Sequence, residues 1–115
     1  MLIVDDDAVF RGLAQRVLAA AGLHVIGEAE TVRSALAAAR ELRPDAVLVD
    51  VQLPDGDGIT LAGELTRLEW EPRVVLTSID AAAADPDEVR ASRAAAFVPK
   101  SELPSAPLHQ LLTPL

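Results

Sequence analysis

Short apolar runs alternate with helical patterns along the whole chain, and this alternation constrains the fold more than any other feature. Apolar runs that predict strands lie at residues 2–4, 24–29, 46–49, 74–76 and 95–98. Apolar spacing and capping residues predict helices over residues 7–21, 31–42, 59–68, 85–94 and 108–112. Five strand–helix units in succession predict an α/β domain: a doubly wound, five-stranded parallel sheet between two layers of helices.

Polar residues follow four of the predicted strands at the point where each strand ends. They are Asp5 and Asp6 after the first strand, Asp50 after the third, Thr77 and Ser78 after the fourth, and Lys100 after the fifth. Because the carboxyl ends of parallel strands share one edge of the sheet, ligands bind at that edge, near a change in strand order. We therefore expect these residues to form the functional site.

Three carboxylates at one edge need a proton or a cation to relieve their repulsion. Each like-charge pair costs on the order of 4 kcal/mol at ~4 Å and an effective dielectric near 20. The oxygen-only set Asp5, Asp6 and Asp50 suits octahedral Mg²⁺. Beside Mg²⁺ and the Lys100 ammonium, the Asp50 carboxylate can attack a phosphoryl group, and the Thr77 hydroxyl can donate to a phosphoryl oxygen.

Taken one at a time, these residues also allow simpler interpretations. Asp5, Asp6 and Asp7 are acids at a helix N-terminus, where the helix dipole favours them. Asp50 alone would suit an Asx turn, and most lysines lie on the surface. Their shared position at the strand ends favours the common site. We interpret residues 54–58, Pro-Asp-Gly-Asp-Gly, as turn residues and not as a Ca²⁺ loop, because the twelve-residue ligand pattern is absent.

Composition limits the environment and the partners. The chain has 115 residues, no cysteine and a net charge of −8. Its length fits one domain, residues 1–115. It has no secretory signal pattern and no apolar run near the ~20 residues that a membrane helix needs, so we expect a cytoplasmic protein without membrane contact. The negative charge argues against direct binding of nucleic acid.

Four motifs in order resemble the receiver domain of two-component response regulators over nearly the whole chain. They are Leu-Ile-Val-Asp-Asp-Asp at residues 2–7, Val-Leu-Val-Asp-Val-Gln-Leu-Pro-Asp-Gly-Asp-Gly at 47–58, Val-Val-Leu-Thr-Ser at 74–78 and Phe-Val-Pro-Lys at 97–100. The resemblance implies a flavodoxin-like fold, phosphorylation of Asp50 by a sensor histidine kinase, and no catalysis beyond the domain's own phosphoryl transfer and dephosphorylation.

The resemblance also implies roles for the site residues. Asp6, Asp50 and the backbone carbonyl of Gln52 would bind Mg²⁺ directly, and Asp5 would act mainly through a bound water. Thr77 and Lys100 would hold the phosphoryl oxygens. After phosphorylation Thr77 would move inward and Phe97 would turn inward, which alters the face built by the fourth helix, the fifth strand and the last helix. A homodimer through that face is a further expectation.

The pattern at residues 25–29, together with Ser101 after Lys100, resembles the subclass usually joined to a helix-turn-helix output domain, which we do not find in this chain. Arg93 and Ala96 stand where the family usually has glycine. Pro104, Pro107 and Pro114 interrupt the last helix.

Two other functions remain open. One is a pseudo-receiver, a protein-binding module that signals without phosphate. The other is a phosphohydrolase with an aspartate nucleophile. Such enzymes place a second acid two residues after the nucleophile, where this chain has Gln52.

Overall fold

Residues 1–113 are described by the computed structural model, which has five parallel strands in one sheet. The strands are β1 (Leu2–Val4), β2 (Gly27–Ala29), β3 (Ala46–Asp50), β4 (Arg73–Ser78) and β5 (Ala96–Pro99). The helices are α1 (Ala8–Ala20), α2 (Val32–Leu42), α3 (Gly58–Thr66), α4 (Pro86–Ala91) and α5 (Leu108–Leu112). Shorter elements are a hairpin (Gln52–Leu53 with Gly56–Asp57) and two 3₁₀ helices, Ala81–Ala83 and Lys100–Ser105. Within these residues, no helix is long and apolar enough to cross a membrane.

The sheet has helices on both faces, which confirms the predicted doubly wound α/β fold. Val47 and Val49 of β3 belong to the core formed with α2 and α3, whereas Ala46 and Leu48 belong to the core formed with α1 and α5. Successive side chains of a strand point to opposite faces. Both faces of β3 are buried, and this explains why its sequence is apolar without interruption.

Strand order and register bring the polar strand ends together. The order is β2-β1-β3-β4-β5, so the chain proceeds from β1 to one side of the sheet and from β3 to the other. Val4 is aligned with Val49, and Asp50 with Thr77. The carboxyl ends of β1 and β3 therefore meet where the strand order changes direction, the usual place for a ligand in this architecture.

The second strand is shorter than predicted, because it covers Gly27–Ala29 and not residues 24–29. Strand β2 pairs only with β1, and the ladder begins with Leu2 opposite Gly27 and runs without interruption. Residues 24–26 lie outside the strand, although the Ile26 amide still donates to the Met1 carbonyl over 2.8 Å. A Cβ at position 27 would lie 2.8 Å from Leu42 Cδ1, so the exposed Leu42 side chain would have to move to make room for it.

Helix ends follow local capping chemistry. Asp7 caps α1 by accepting hydrogen bonds from Val9 and Phe10, and Gly22 follows the helix with a positive φ of 84°. Helix α4 ends at Ala91, short of the predicted residue 94. Arg93 has a φ of 65°, so the backbone still adopts the left-handed conformation that favours glycine.

The C-terminal prolines shape the segment after β5. Pro104 lies inside the second 3₁₀ helix, and Pro107 directly precedes α5, whose predicted bounds are confirmed. Proline cannot donate a backbone hydrogen bond, so these residues limit the length of regular helix here. Pro114 lies outside the described residues.

A carboxylate from the loop after β3 caps helix α2. Thr31 accepts a hydrogen bond from the Ser34 amide, and Asp55 accepts one from Val32 (2.7 Å) and one from Arg33 (3.2 Å). The hydrogen bond from Val32 is the largest influence that lowers the pKa of Asp55, with the one from Arg33 adding to it. The loop that follows β3 is therefore attached to the first turn of α2.

Candidate functional site

Three carboxylates meet at the carboxyl edge of the sheet. One oxygen each of Asp5, Asp6 and Asp50 lies within 4.8 Å of the others. Asp5 and Asp50 are buried at 0% and 7% exposure, whereas Asp6 is exposed. The Asp7 amide donates to Asp5 Oδ1 over 2.8 Å, and this fixes one carboxylate oxygen. A cluster whose donors are all carboxylate oxygens suits a hard cation.

The Lys100 ammonium lies inside this acidic cluster. Its Nζ is 2.7 Å from Asp5 Oδ2 and 3.4 Å from Asp50 Oδ2. The same nitrogen lies 4.1 Å from the centroid of the Phe10 ring, which is a cation–π distance. Three carboxylates thus face one ammonium, and a divalent cation would neutralise the remaining charge.

Burial and neighbouring charges shift two pKa values in the cluster. The pKa of Asp50 is raised, chiefly by burial and in addition by the charge of Asp5. The hydrogen bond from the Gln52 amide and the Lys100 ammonium lower this pKa, but they do not cancel the increase. For Lys100 the largest single effect, burial, lowers the pKa, but the combined interactions with Asp5 and Asp50 outweigh it and the pKa is raised. Lys100 is therefore charged at neutral pH.

The Thr77 hydroxyl is buried at the end of β4 without a hydrogen-bond partner. Its Oγ1 and Asp5 Oδ2 are the buried side-chain polar atoms left without such a partner among residues 1–113. Asp5 Oδ2 still has its ion pair with Lys100, whereas Thr77 Oγ1 makes no hydrogen bond within residues 1–113. Buried polar groups are almost always satisfied in folded proteins, so a free hydroxyl beside Asp50 indicates a place for a ligand oxygen.

Backbone contacts fix Asp50 in the sheet. The Val51 amide donates to the Thr77 carbonyl (2.9 Å), and the Gly58 amide donates to the Val51 carbonyl (2.7 Å). A Cβ at Gly58 would lie 1.9 Å from the Asp50 carbonyl oxygen, so α3 approaches the end of β3 as closely as only glycine permits. The Gln52 amide donates to Asp50 Oδ1 (3.2 Å), which keeps the Gln52 peptide beside the carboxylate.

Phe97 and Ser78 lie at the same end of the sheet but outside the cluster. Phe97 is half-buried on β5, aligned with Leu76, and packs against the core on the α2 and α3 face of the sheet. Ser78 is fully buried and accepts a hydrogen bond from the Asp80 amide. The cluster itself therefore consists of Asp5, Asp6, Asp50, Thr77 and Lys100.

Sequence reasoning missed two residues that contact the cluster. One is Phe10, whose ring contact with Lys100 joins residues ninety positions apart. The other is Arg11, whose Nη1 donates to the Asp5 carbonyl over 2.6 Å. An arginine so soon after an acidic helix N-terminus was the available signal, because a cation there opposes the helix dipole.

A family model described as the response regulator receiver domain matches residues 1–112. The chain belongs to this family. The domain is 35% identical over 78 residues to the chemotaxis protein CheY of Bacillus subtilis, covering 68% of this chain and 65% of CheY. It is 36% identical over 102 residues to a protein-glutamate methylesterase/protein-glutamine glutaminase of Alkalilimnicola ehrlichii, covering 86% of this chain but only 26% of that enzyme.

Solved receiver domains share the fold. The signal receiver domain of the putative response regulator NarL from Mycobacterium tuberculosis superposes with a TM-score of 0.76 at 30% identity, covering 96% of this chain and 93% of that one. The response regulator domain of Thermotoga maritima CheB gives a TM-score of 0.81 at 23% identity, covering 96% and 90%. The fold is the flavodoxin-like receiver fold that the sequence predicts.

Proposed function

We propose that this receiver domain accepts a phosphoryl group on Asp50 in a two-component phosphorelay. The observation that carries the proposal is the buried, unpartnered Thr77 hydroxyl beside a carboxylate cluster that already holds the Lys100 ammonium. Hydroxyl, ammonium and carboxylate are the groups that phosphoryl transfer to an aspartate requires. The donor would be a phosphohistidine of a sensor histidine kinase in the cytoplasm.

The carboxylate cluster fits Mg²⁺, since its donors are all oxygens and its negative charge is larger than the single positive charge of the Lys100 ammonium. Asp6, Asp50 and the Gln52 carbonyl would bind the ion, and Asp5 would contact it through water. When bound, Mg²⁺ neutralises charge on the phosphoryl oxygens and on the attacking carboxylate.

In the proposed reaction an Asp50 carboxylate oxygen bonds to phosphorus while the bond between phosphorus and the donor atom breaks. The product is an acyl phosphate on Asp50, and the donor leaves with the bonding electrons. Lys100 would pair with one phosphoryl oxygen, and the Thr77 hydroxyl would donate to another. Thr77 lies on the adjacent strand β4, and Lys100, which follows β5, already lies 3.4 Å from Asp50 Oδ2, so both residues need only side-chain movement.

Output would pass through the face formed by α4, β5 and α5. Thr77 moving towards the phosphoryl group would free space for Phe97, which lies on the adjacent strand. We propose that this change controls a homodimer or an output domain of the helix-turn-helix class, without direct contact between this domain and nucleic acid.

Phosphorylation is tested with Mg²⁺, a small acyl-phosphate donor and intact-mass measurement. We expect a hydroxylamine-labile phosphoryl adduct on the wild-type domain and none on Asp50→Asn. Asp57→Asn is the matched control, because Asp57 caps α3 nearby and asparagine caps a helix equally well. An adduct that persists in Asp50→Asn, or no adduct on the wild type, refutes the proposal.

A pseudo-receiver is the alternative, favoured by the glycine-free end of α4 and by the five-residue α5. It predicts that Asp50→Ala binds the partner as well as the wild type does, with or without a phosphodonor. Binding that depends on the phosphodonor and on Asp50 excludes it.

A further inference from the structure

Arg11 uses all three guanidinium nitrogens beside the carboxylate cluster. Its Nη1 donates to the Asp5 carbonyl (2.6 Å), its Nε to Glu28 Oε1 (2.9 Å) and its Nη2 to Glu30 Oε1 (3.3 Å). The side chain is only 12% exposed. A cation near a helix N-terminus opposes the helix dipole, so these contacts must account for its position.

The Asp5 carbonyl belongs to the peptide that joins the two acids of the cluster. Asp5 is held on its other sides, since its amide donates to Ala29, its Oδ1 accepts from the Asp7 amide and its Oδ2 pairs with Lys100. Asp6 is exposed, so packing does not hold it. The direction in which the Asp6 side chain leaves the backbone therefore depends on the orientation of the Asp5–Asp6 peptide, which Arg11 fixes.

We propose that Arg11 is a positioning residue of the metal centre, which orients the Asp5–Asp6 peptide so that the Asp6 carboxylate faces Asp50. Glu28 and Glu30, on and directly after β2, hold the guanidinium in place and offset its charge. The inference rests on the proposed Mg²⁺ site. It adds a contact behind the ligands, of the kind that sets metal affinity without touching the ion.

Positioning and simple charge predict opposite signs. A positive charge near the cluster repels a divalent cation, so its removal would tighten Mg²⁺ binding if charge were its whole effect. If Arg11 orients the peptide, its removal weakens binding although the repulsion falls. A lysine separates the two further, because it keeps the charge but has no planar fork to reach three acceptors at once.

Mg²⁺ binding to the full chain is measured by isothermal titration calorimetry for the wild type, Arg11→Gln, Arg11→Lys and Arg16→Gln. Arg16 is the control, an exposed arginine on the same helix. We expect Arg11→Gln to bind Mg²⁺ on the order of tenfold more weakly, Arg11→Lys to be weakened as well, and Arg16→Gln to match the wild type. Thermal unfolding in EDTA shows which variants are folded. If Arg11→Gln does not fold, the Mg²⁺ affinity of Arg11→Lys tests the positioning role.

Binding by the Arg11 variants that equals or exceeds that of the wild type overturns the inference. That failure is distinct from failure of the proposed function. A wild-type domain that neither binds Mg²⁺ nor takes the phosphoryl group overturns both, whereas phosphorylated wild type with unchanged Mg²⁺ affinity in the Arg11 variants overturns the positioning role alone.

Discussion

Gly58→Ala tests the close approach between α3 and the strand that carries Asp50. The added Cβ would meet the Asp50 carbonyl oxygen at 1.9 Å, the Asp50 carbonyl carbon at 2.8 Å and Val51 Cα at 2.8 Å. These are all backbone atoms, so no side chain can rotate away. To reach a tolerable contact near 3.0 Å, the end of β3 and the start of α3 must separate by about 1 Å.

That separation has two measurable consequences. Overpacking typically costs 1–3 kcal/mol, and because rigid backbone must move here we expect a loss of about 3 kcal/mol in the free energy of unfolding, measured with urea. Displacing Asp50, the proposed nucleophile, by about 1 Å should slow phosphorylation from the acyl-phosphate donor on the order of 100-fold, measured by intact mass.

Gly12→Ala is the matched control. Gly12 is exposed in the middle of α1, and a Cβ there meets nothing within 4 Å. Alanine should raise the free energy of unfolding by about 0.5–1 kcal/mol and leave the phosphorylation rate unchanged. The reasoning is refuted if Gly58→Ala stays within about 0.5 kcal/mol of the wild type and is phosphorylated at the wild-type rate.

Three further changes probe the surroundings of the cluster. Phe10→Leu keeps an apolar side chain but removes the ring that contacts the Lys100 ammonium. In a double-mutant cycle with Lys100→Met, measured by urea unfolding, we expect a coupling energy of about 1 kcal/mol between the two residues. A coupling energy of zero would contradict the cation–π contact. Arg93→Gly should raise the free energy of unfolding in urea by about 1 kcal/mol, because the φ of 65° at this position is strained for arginine but not for glycine. A decrease in the free energy of unfolding would contradict this explanation. Burial raises the pKa of Asp50, so in EDTA the folded domain binds a proton on Asp50 more tightly than the unfolded chain does. The contribution of Asp50 to the free energy of unfolding therefore falls as the pH rises above 3.8, the ordinary pKa of an aspartate. The stability of Asp50→Asn relative to the wild type should therefore increase from pH 4 to pH 7, and a constant difference would rule this out.

The sequence predicted elements whose signals are local. The apolar run of β3 is buried on both faces and ends at Asp50 as expected, and Thr31 caps α2. Strand β2 was predicted at twice its length because its apolar residues say nothing of how few residues β1 offers for pairing. Helix α4 stops early because Arg93 adopts a left-handed conformation that no propensity of arginine indicates.

The site was predictable as far as strand ends determine it. Asp5, Asp6, Asp50, Thr77 and Lys100 meet because parallel register brings those ends together. Contacts from side chains that arrive across the fold were not predictable. The Phe10 ring and the Asp55 carboxylate each act at a distance in sequence that no periodicity encodes.

The cap that Asp55 places on α2 couples two segments that are separate in the chain. The carboxylate lies in the loop that leaves Asp50, and it supplies the acceptors for the first two amides of α2, those of Val32 and Arg33. We therefore expect opening of that loop and fraying of the first turn of α2 to occur together, as one local unfolding unit. Hydrogen exchange at the Val32 and Arg33 amides would then report how often the loop beside Asp50 opens, without any probe placed in the loop itself.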